Sequence, residues 1–252
     1  MNLLDRDSSS LNDSQQNLLS NLIQNYPESE LLSISQTIKY ENDSLGIINP
    51  STLQSLLASF YETAGKSLRS NADIAHLESH DRSILLHTAV ANATCASGQL
   101  ICHHFQLTQY DRVWKHLEDI YGEIARYYKQ LSVKFAESNV VIWKLSMALL
   151  VLSTNTRIFC RNVEGEYQDI TEILKIQDKY AEILWKYLLY EYGSSEAIKR
   201  YVRMIEWFLS LTVFMEHAYD VDMYVNDVES LVEQTEVQLI LDDVDEIVNN
   251  HM

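Results

Sequence analysis

The 252-residue sequence predicts an all-α fold, on the basis of three observations. It contains six Gly and only two Pro, and both prolines (Pro27 and Pro50) lie in the first fifth of the chain, so no proline interrupts a helix after residue 50. Apolar residues recur at intervals of three and four over long stretches, which is the spacing of one face of a helix. The hydrophobic fraction of 46% is ordinary for a globular protein, and the length is sufficient for a large core.

The first 50 residues differ in composition from the rest. They are rich in Ser, Asn and Gln, and we interpret 1–50 as a polar, hinge-like leader that is partly disordered, with a short helix near 16–23. The compact domain is predicted to span 51–252. Its first helix should begin near Pro50 and continue through Leu68, because a Pro-Ser pair precedes the first residues with helical apolar spacing.

The remaining elements are also predicted as helices. The stretch from Ile84 to Leu107 has too few polar residues for a solvated face, so we expect a helix in the middle of a layered bundle. Apolar spacing further predicts an amphipathic helix over 110–135, a buried helix over 140–152, a loop over 153–168, and two long helices over 173–187 and 198–215 that Gly193 separates.

The charge and the cysteines exclude several classes of protein. A formal net charge of −17 and a pI of about 4.7 oppose binding to nucleic acid or to an anionic membrane, so we expect no DNA contact by this chain and no membrane association. No apolar run approaches the length of a membrane span, and the polar start is unlike a signal peptide. Three cysteines without a CxxC pair suggest neither a disulfide framework nor a zinc site, which favours the nucleus or the cytoplasm.

One segment, 60–90, carries a specific pattern. Arg69 is followed by Ile74, Leu77 and Asp81 and then by the apolar run 84–86. These apolar residues can close a corner between two helices, and an acid near the start of the second helix can meet free amide groups at the positive end of the helix dipole. In order and spacing, the segment resembles the signature of the nuclear receptor ligand-binding domain.

The resemblance extends over roughly residues 50–250. The stretches 139–154, 172–192 and 197–219 are similar to the central eighth helix, the ninth helix and the dimerisation helix of that family. The resemblance implies a three-layer antiparallel helical sandwich. It also implies a domain that regulates transcription in the nucleus through a small lipophilic ligand and a C-terminal activation helix.

The resemblance also implies partners and sites. The partners would be a coactivator or corepressor helix with a Leu-x-x-Leu-Leu type motif, and a second nuclear receptor in a homo- or heterodimer. The coregulator groove would include Arg69, Arg82, His87 and, on the activation helix, Glu246. The ligand pocket would be lined by Leu57, Phe60, Thr94, Gly98, Ile101, Phe214 and His217. The dimer interface would include Arg200, Arg203 and Trp207.

The sequence departs from the family pattern at several positions. Arg69 stands where the family commonly has Lys, and Asp81-Arg82 stands where Asp-Gln is usual. Ile101 occupies the position at which acid-binding receptors keep an Arg, so a retinoid-type acid is not expected as ligand. Besides Glu246, the acids in 239–242 and in 224–228 are candidates for the activation helix.

Two other functions remain open. The first is a ligand-independent, receptor-like helical dimerisation or scaffold protein, in which side chains fill the pocket. The second, more remote, is a Mg²⁺-dependent all-α terpenoid synthase-like enzyme, because the acidic run 242–246 imitates a diphosphate-Mg²⁺ motif. That run lies within about ten residues of the last residue given, which leaves no room for a second motif after it. We therefore predict no enzyme, no catalytic residue, no metal and no cofactor.

Overall fold

The computed structural model describes residues 11–24, 28–69, 71–135, 137, 139–154 and 165–218, together with Ser230, Glu233 and Val237. These residues are mostly helical and contain no strand, which confirms the all-α prediction. The helices are α1 (Asp13–Gln24), α2 (Glu28–Tyr40), α3 (Pro50–Arg69), α4 (Ala72–Ala75), α5 (Ser79–His104), α6 (Asp111–Tyr121), α7 (Glu123–Lys134), α8 (Val140–Val151) and α9 (Ile170–Ala218). A π-helical turn (Glu41–Leu45) follows α2 and a 3₁₀ turn (Leu107–Gln109) follows α5.

Helix α5 lies at the centre of the fold. It packs against α3 on one side and α8 on another, and α8 in turn packs against α9. From Ile84 to Cys102, every described side chain except that of His87 is buried. A helix that is apolar all round has no face to offer to water and is stable only between other helices. The prediction of a buried central helix is therefore confirmed.

Glycines end or bend helices at two positions. The sequence predicted one helix over 110–135, but Gly122 adopts φ 70° and ψ −150° and divides the stretch into α6 and α7. Gly193, with φ 70° and ψ 169°, divides α9 into a first arm (170–192) and a second arm (194–218), as the sequence predicted. Both conformations lie in a region that only glycine adopts without strain.

Two helices lie within the segment 1–50: α1 covers the short helix predicted near 16–23, and α2 was not predicted. In α2, Leu31 and Ile38 are almost completely buried in a cluster with residues of α3 and α6. Glu41, which is also buried, accepts hydrogen bonds from Asn49 N–H and from the Thr52 hydroxyl, both at 2.9 Å, and joins this segment to the start of α3. One face of α2 and the turn that follows it are therefore packed against the rest of the fold.

In the described part of the chain, no helix combines the length and the apolarity that crossing a membrane requires.

Candidate functional site

The corner between α3 and α5 is built by the residues that the sequence pattern singled out. Asn71 begins α4, because its side-chain oxygen accepts hydrogen bonds from the backbone N–H groups of Asp73 and Ile74. Ile74 and Leu77 are buried beneath this short helix, and Leu85 and Leu86 of α5 belong to the same cluster. The pattern thus marks a closed helix–turn–helix junction.

Asp81 connects this corner to α9. Its carboxylate, 2% exposed, accepts hydrogen bonds from the backbone N–H groups of Gln168 (2.7 Å) and Asp169 (2.8 Å). The sequence analysis placed Asp81 against the free amides of its own helix; the amides it meets are those before the first turn of α9. N–H groups at a helix start have no acceptor within the helix, so a buried carboxylate there satisfies two of them.

Two further contacts join the same corner to the first arm of α9. The Tyr180 hydroxyl donates to Asn71 Oδ1 at 3.1 Å, and Lys179 Nζ lies 3.0 Å from a carboxylate oxygen of Asp73. Burial raises the pKa of Tyr180, so its hydroxyl keeps the proton that it donates. Together with Asp81, these contacts fix the position of the corner relative to α9.

Three of the four residues predicted for a coregulator groove, Arg69, Arg82 and His87, belong to the two helices that this corner joins. Arg69 is the last residue of α3; its side chain is outside the described part of the structure. Arg82 is partly buried, and its Nη1 donates a hydrogen bond to the carbonyl oxygen of Ala75 at 2.7 Å. This bond gives a partner to a carbonyl group at the C-terminal end of α4. His87 is partly buried on α5, and Glu246 lies outside the described residues. The structure thus places Arg69 and Arg82 at the two ends of one corner.

An apolar cavity of about 70 Å³ lies between α3, α5, α6, α7 and the second arm of α9. Four of the seven predicted pocket residues line it: Leu57, Phe60, Thr94 and Phe214. The other three lie elsewhere. Gly98 packs under Phe60 and Tyr128, Ile101 is buried in the cluster around Trp114, and His217 is exposed. Aromatic residues of α6 and α7 also line the cavity, and the sequence analysis did not predict them. Nothing in the local sequence indicates which face of these two helices packs against α5.

The cavity has little polar character. The Tyr128 hydroxyl is already engaged, since it donates to the carbonyl oxygen of Cys95 at 2.6 Å, and burial raises its pKa. The Thr94 hydroxyl is buried and has no hydrogen-bond partner among the described residues. A water molecule occupies about 30 Å³ of liquid, whereas pockets for drug-sized ligands measure about 300–1,000 Å³. The cavity is therefore several-fold smaller than a pocket for a ligand of that size.

The second arm of α9 is apolar on two opposite faces. The inner face carries Trp207, which is 4% exposed and donates its indole N–H to Gln99 Oε1 of α5. The outer face carries five large apolar residues that are 43–63% exposed. We call these residues the outer stripe: Ile198, Val202, Ile205, Leu209 and Val213. A contiguous exposed apolar surface of this kind marks an interaction site more often than an isolated apolar residue does.

The three residues predicted for the dimer interface are not on this stripe. Trp207 faces the core. Arg200 is partly buried and forms ion pairs with Glu137 (2.8 Å) and Glu196 (3.3 Å) within the chain. Arg203 is exposed and donates to the carbonyl oxygen of Lys134 at 2.9 Å. The sequence did contain the signal for the stripe, because its residues recur every three or four positions, but the inner face has the same spacing.

Comparisons with protein-family models and with curated proteins find no match for this chain. Among the described residues, no cluster of three or more His, Cys, Asp or Glu side chains could hold a metal ion. The acidic run 242–246, which suggested a synthase, lies outside the described residues. Burial raises the pKa of the Cys102 thiol to about 12, so this thiol is not an activated nucleophile.

Proposed function

We propose that the chain is a regulatory domain of the nuclear receptor ligand-binding type, a three-layer helical module that recruits a coregulator helix and pairs with a second such domain. The observation that carries the proposal is the corner between α3 and α5. The residues at the positions of the family signature, from Ile74 to Leu86, are buried in one junction that Asp81 connects to α9. The burial of these pattern residues in a single junction supports the family resemblance.

The corner suits a helix as partner for an electrostatic reason. The carbonyl end of a helix carries partial negative charge and its amino end partial positive charge. Arg69 at the end of α3 would meet the carbonyl end of a Leu-x-x-Leu-Leu helix, and an acid of the activation helix, for which Glu246 is our choice, would meet its amino end. An amphipathic helix in an apolar groove is a common mode of peptide recognition.

The small cavity supports the ligand-independent form of this function over binding of a hormone-sized ligand. Its volume of about 70 Å³ is several-fold below that of ordinary ligand pockets. Its described lining is apolar, and among these lining residues Thr94 has a buried hydroxyl without a hydrogen-bond partner. If the domain acts without a large ligand, the regulated steps would be coregulator binding and pairing. These steps would take place in the nucleus, and another protein or domain would make the contacts with DNA.

The outer stripe of α9 supports pairing. Five partly exposed apolar side chains on one helix face are unfavourable in water and gain free energy when another protein covers them. The net charge of −17 argues against anionic nucleic acid as the partner at this surface.

Coregulator binding is tested with a labelled Leu-x-x-Leu-Leu peptide by fluorescence polarisation. We expect the wild-type chain to bind and Arg69→Glu to lose at least about tenfold in affinity, because the substitution places like charge at the carbonyl end of the peptide helix. Lys115→Glu, the same charge change at an exposed position of α6, is the matched control and should bind as the wild type does. Absence of binding by the wild type, or equal loss in the two variants, would contradict the proposal.

The ligand question is tested separately by native mass spectrometry of the purified chain. A mass equal to that of the polypeptide alone, together with peptide binding, supports the ligand-independent form. A bound hydrophobic molecule of several hundred daltons would show that the cavity opens beyond the volume seen here.

A further inference from the structure

A groove between the end of α7 and the second arm of α9 carries an excess of positive charge on an acidic protein. It is open to solvent, and it is lined by Lys134, Phe135, Ile198, Lys199, Val202, Arg203 and Glu206. Its lining has three cations and one acid, whereas the whole chain has 19 Lys and Arg against 36 Asp and Glu. Charges beyond about 8 Å are largely screened at physiological salt, so the groove can attract an anion that stays within it.

The three cations of the groove are exposed, and two of them lie on either side of one hydrogen bond. Arg203 joins α9 to the end of α7, because its Nη2 donates to the carbonyl oxygen of Lys134 at 2.9 Å. Lys199 has a 3.6 Å contact with Glu196 of its own helix. In the part of the chain that the structure describes, no acid forms an ion pair with Lys134 or Arg203. These cations are therefore accessible to carboxylates of a partner.

The charged and the apolar residues of α9 form two rows with the same spacing. Lys199 and Arg203 are four residues apart, hence about 6 Å along the helix. Ile198 and Val202, which also belong to the outer stripe, repeat this spacing beside them. In an extended peptide, side chains alternate between two sides, and those on one side are about 6.8 Å apart. A peptide along α9 with acids at alternate positions thus brings its carboxylates to the cations and the intervening side chains to the apolar row.

We propose that this groove binds a short extended segment of another protein whose residues alternate in the order acid, apolar, acid, apolar, base. The two acids meet Lys199 and Arg203, and the base meets Glu206, which follows Arg203 by three residues on the same side of the helix. The inference goes beyond the proposed function, because it concerns neither the corner nor the pairing of two domains. A nucleic acid duplex fits the groove less well, since its uniform charge would extend onto the acidic surface around it.

The proposal is tested by fluorescence polarisation of the full chain at low salt with two peptides that are blocked at both ends and carry an uncharged dye. Their sequences are Asp-Leu-Asp-Leu-Lys and the reverse, because the groove fixes the order of the charges and not the direction of the peptide. At least one should bind, and binding should weaken as salt is added. Lys199→Glu and Arg203→Glu should each raise its Kd roughly fivefold, whereas Lys115→Glu, the same charge change on α6, should not alter the Kd.

A change in specificity separates recognition from a structural effect of these substitutions. The wild type should prefer Lys to Asp at the basic end of the peptide, and Glu206→Lys should reverse this preference, which a merely structural role cannot do. Circular dichroism checks that each variant remains helical. An unchanged preference in Glu206→Lys, or an equal loss of binding in Lys115→Glu, overturns the proposal. So does binding of a short DNA duplex in place of the peptides, or the absence of any binding. Neither result bears on the corner, which is tested with a different peptide.

Discussion

Asp81→Asn tests the contact that joins the corner to α9. The carboxylate accepts two backbone N–H groups, at 2.7 and 2.8 Å, and is buried. Asparagine keeps one acceptor oxygen and presents an amino group to the other N–H, so one of the two donors loses its partner. Hydrogen bonds to charged groups contribute about 1.5–3 kcal/mol, and an unsatisfied buried donor costs about 1–3 kcal/mol. Because Gln168 and Asp169 are themselves exposed, water can replace part of the loss, and we expect a decrease of about 2–3 kcal/mol in the free energy of unfolding.

The assay is urea denaturation followed by circular dichroism. With a slope of about 3 kcal/mol/M, the expected loss lowers the midpoint by about 1 M, and the slope itself should not change. Asp119→Asn removes the same charge from an exposed position of α6 and should leave the midpoint unchanged. A midpoint for Asp81→Asn equal to that of Asp119→Asn would refute the reasoning, because it would mean that the contact with α9 contributes nothing to stability.

Three other substitutions follow from local geometry. In Gly98→Ala the new Cβ would overlap the Tyr128 hydroxyl, so we expect the free energy of unfolding, measured by urea denaturation, to fall by about 2 kcal/mol. An unchanged urea midpoint would contradict the close packing at this position. In Gly193→Ala the new Cβ has open space, but a φ of 70° is unfavourable for alanine, so backbone strain alone should lower the free energy of unfolding by about 1–3 kcal/mol. Equal stability of the variant and the wild type would show that the arms of α9 adjust freely. Burial lowers the pKa of Lys144 to about 8, so between pH about 8 and about 10 this group is protonated more in the unfolded chain and its contribution to stability should rise with pH. The raised pKa of Cys102 acts in the opposite direction in part of this range, so the test compares the urea midpoints of the wild type and Lys144→Met: the midpoint of the wild type should rise relative to that of the variant, and parallel profiles would contradict the burial of this charge.

Several features of the fold could be predicted from sequence because their causes are local. Pro50 marks the start of α3, and Gly193 divides α9, since each residue restricts or permits a particular backbone conformation. The buried character of α5 followed from its lack of a polar face. The helix α2 was not predicted because polar residues outnumber apolar ones in its sequence. Two apolar residues seven positions apart, Leu31 and Ile38, are nonetheless buried, and they pack the helix against the core.

The remaining features depend on contacts that are distant in sequence. Asp81 could be recognised as a helix-start acid, but its partners lie 87 and 88 residues away, and no local pattern indicates them. The second arm of α9 shows a different difficulty. Its inner residues, such as Trp207, and its outer ones, such as Leu209, both recur at helical spacing, so periodicity alone cannot decide which face packs inward. Contacts with other helices distinguish them, such as the hydrogen bond from the Trp207 indole N–H to Gln99 on α5.

Hydrogen–deuterium exchange with and without a Leu-x-x-Leu-Leu peptide tests the central claim, coregulator binding at the corner, most directly. The amides at the end of α3 and at the start of α5, on either side of α4, should exchange more slowly when the peptide is bound, and those of the outer stripe should exchange at the same rate as in the free chain. Protection confined to the second arm of α9, or no protection anywhere, would contradict the assignment of the corner as the coregulator site.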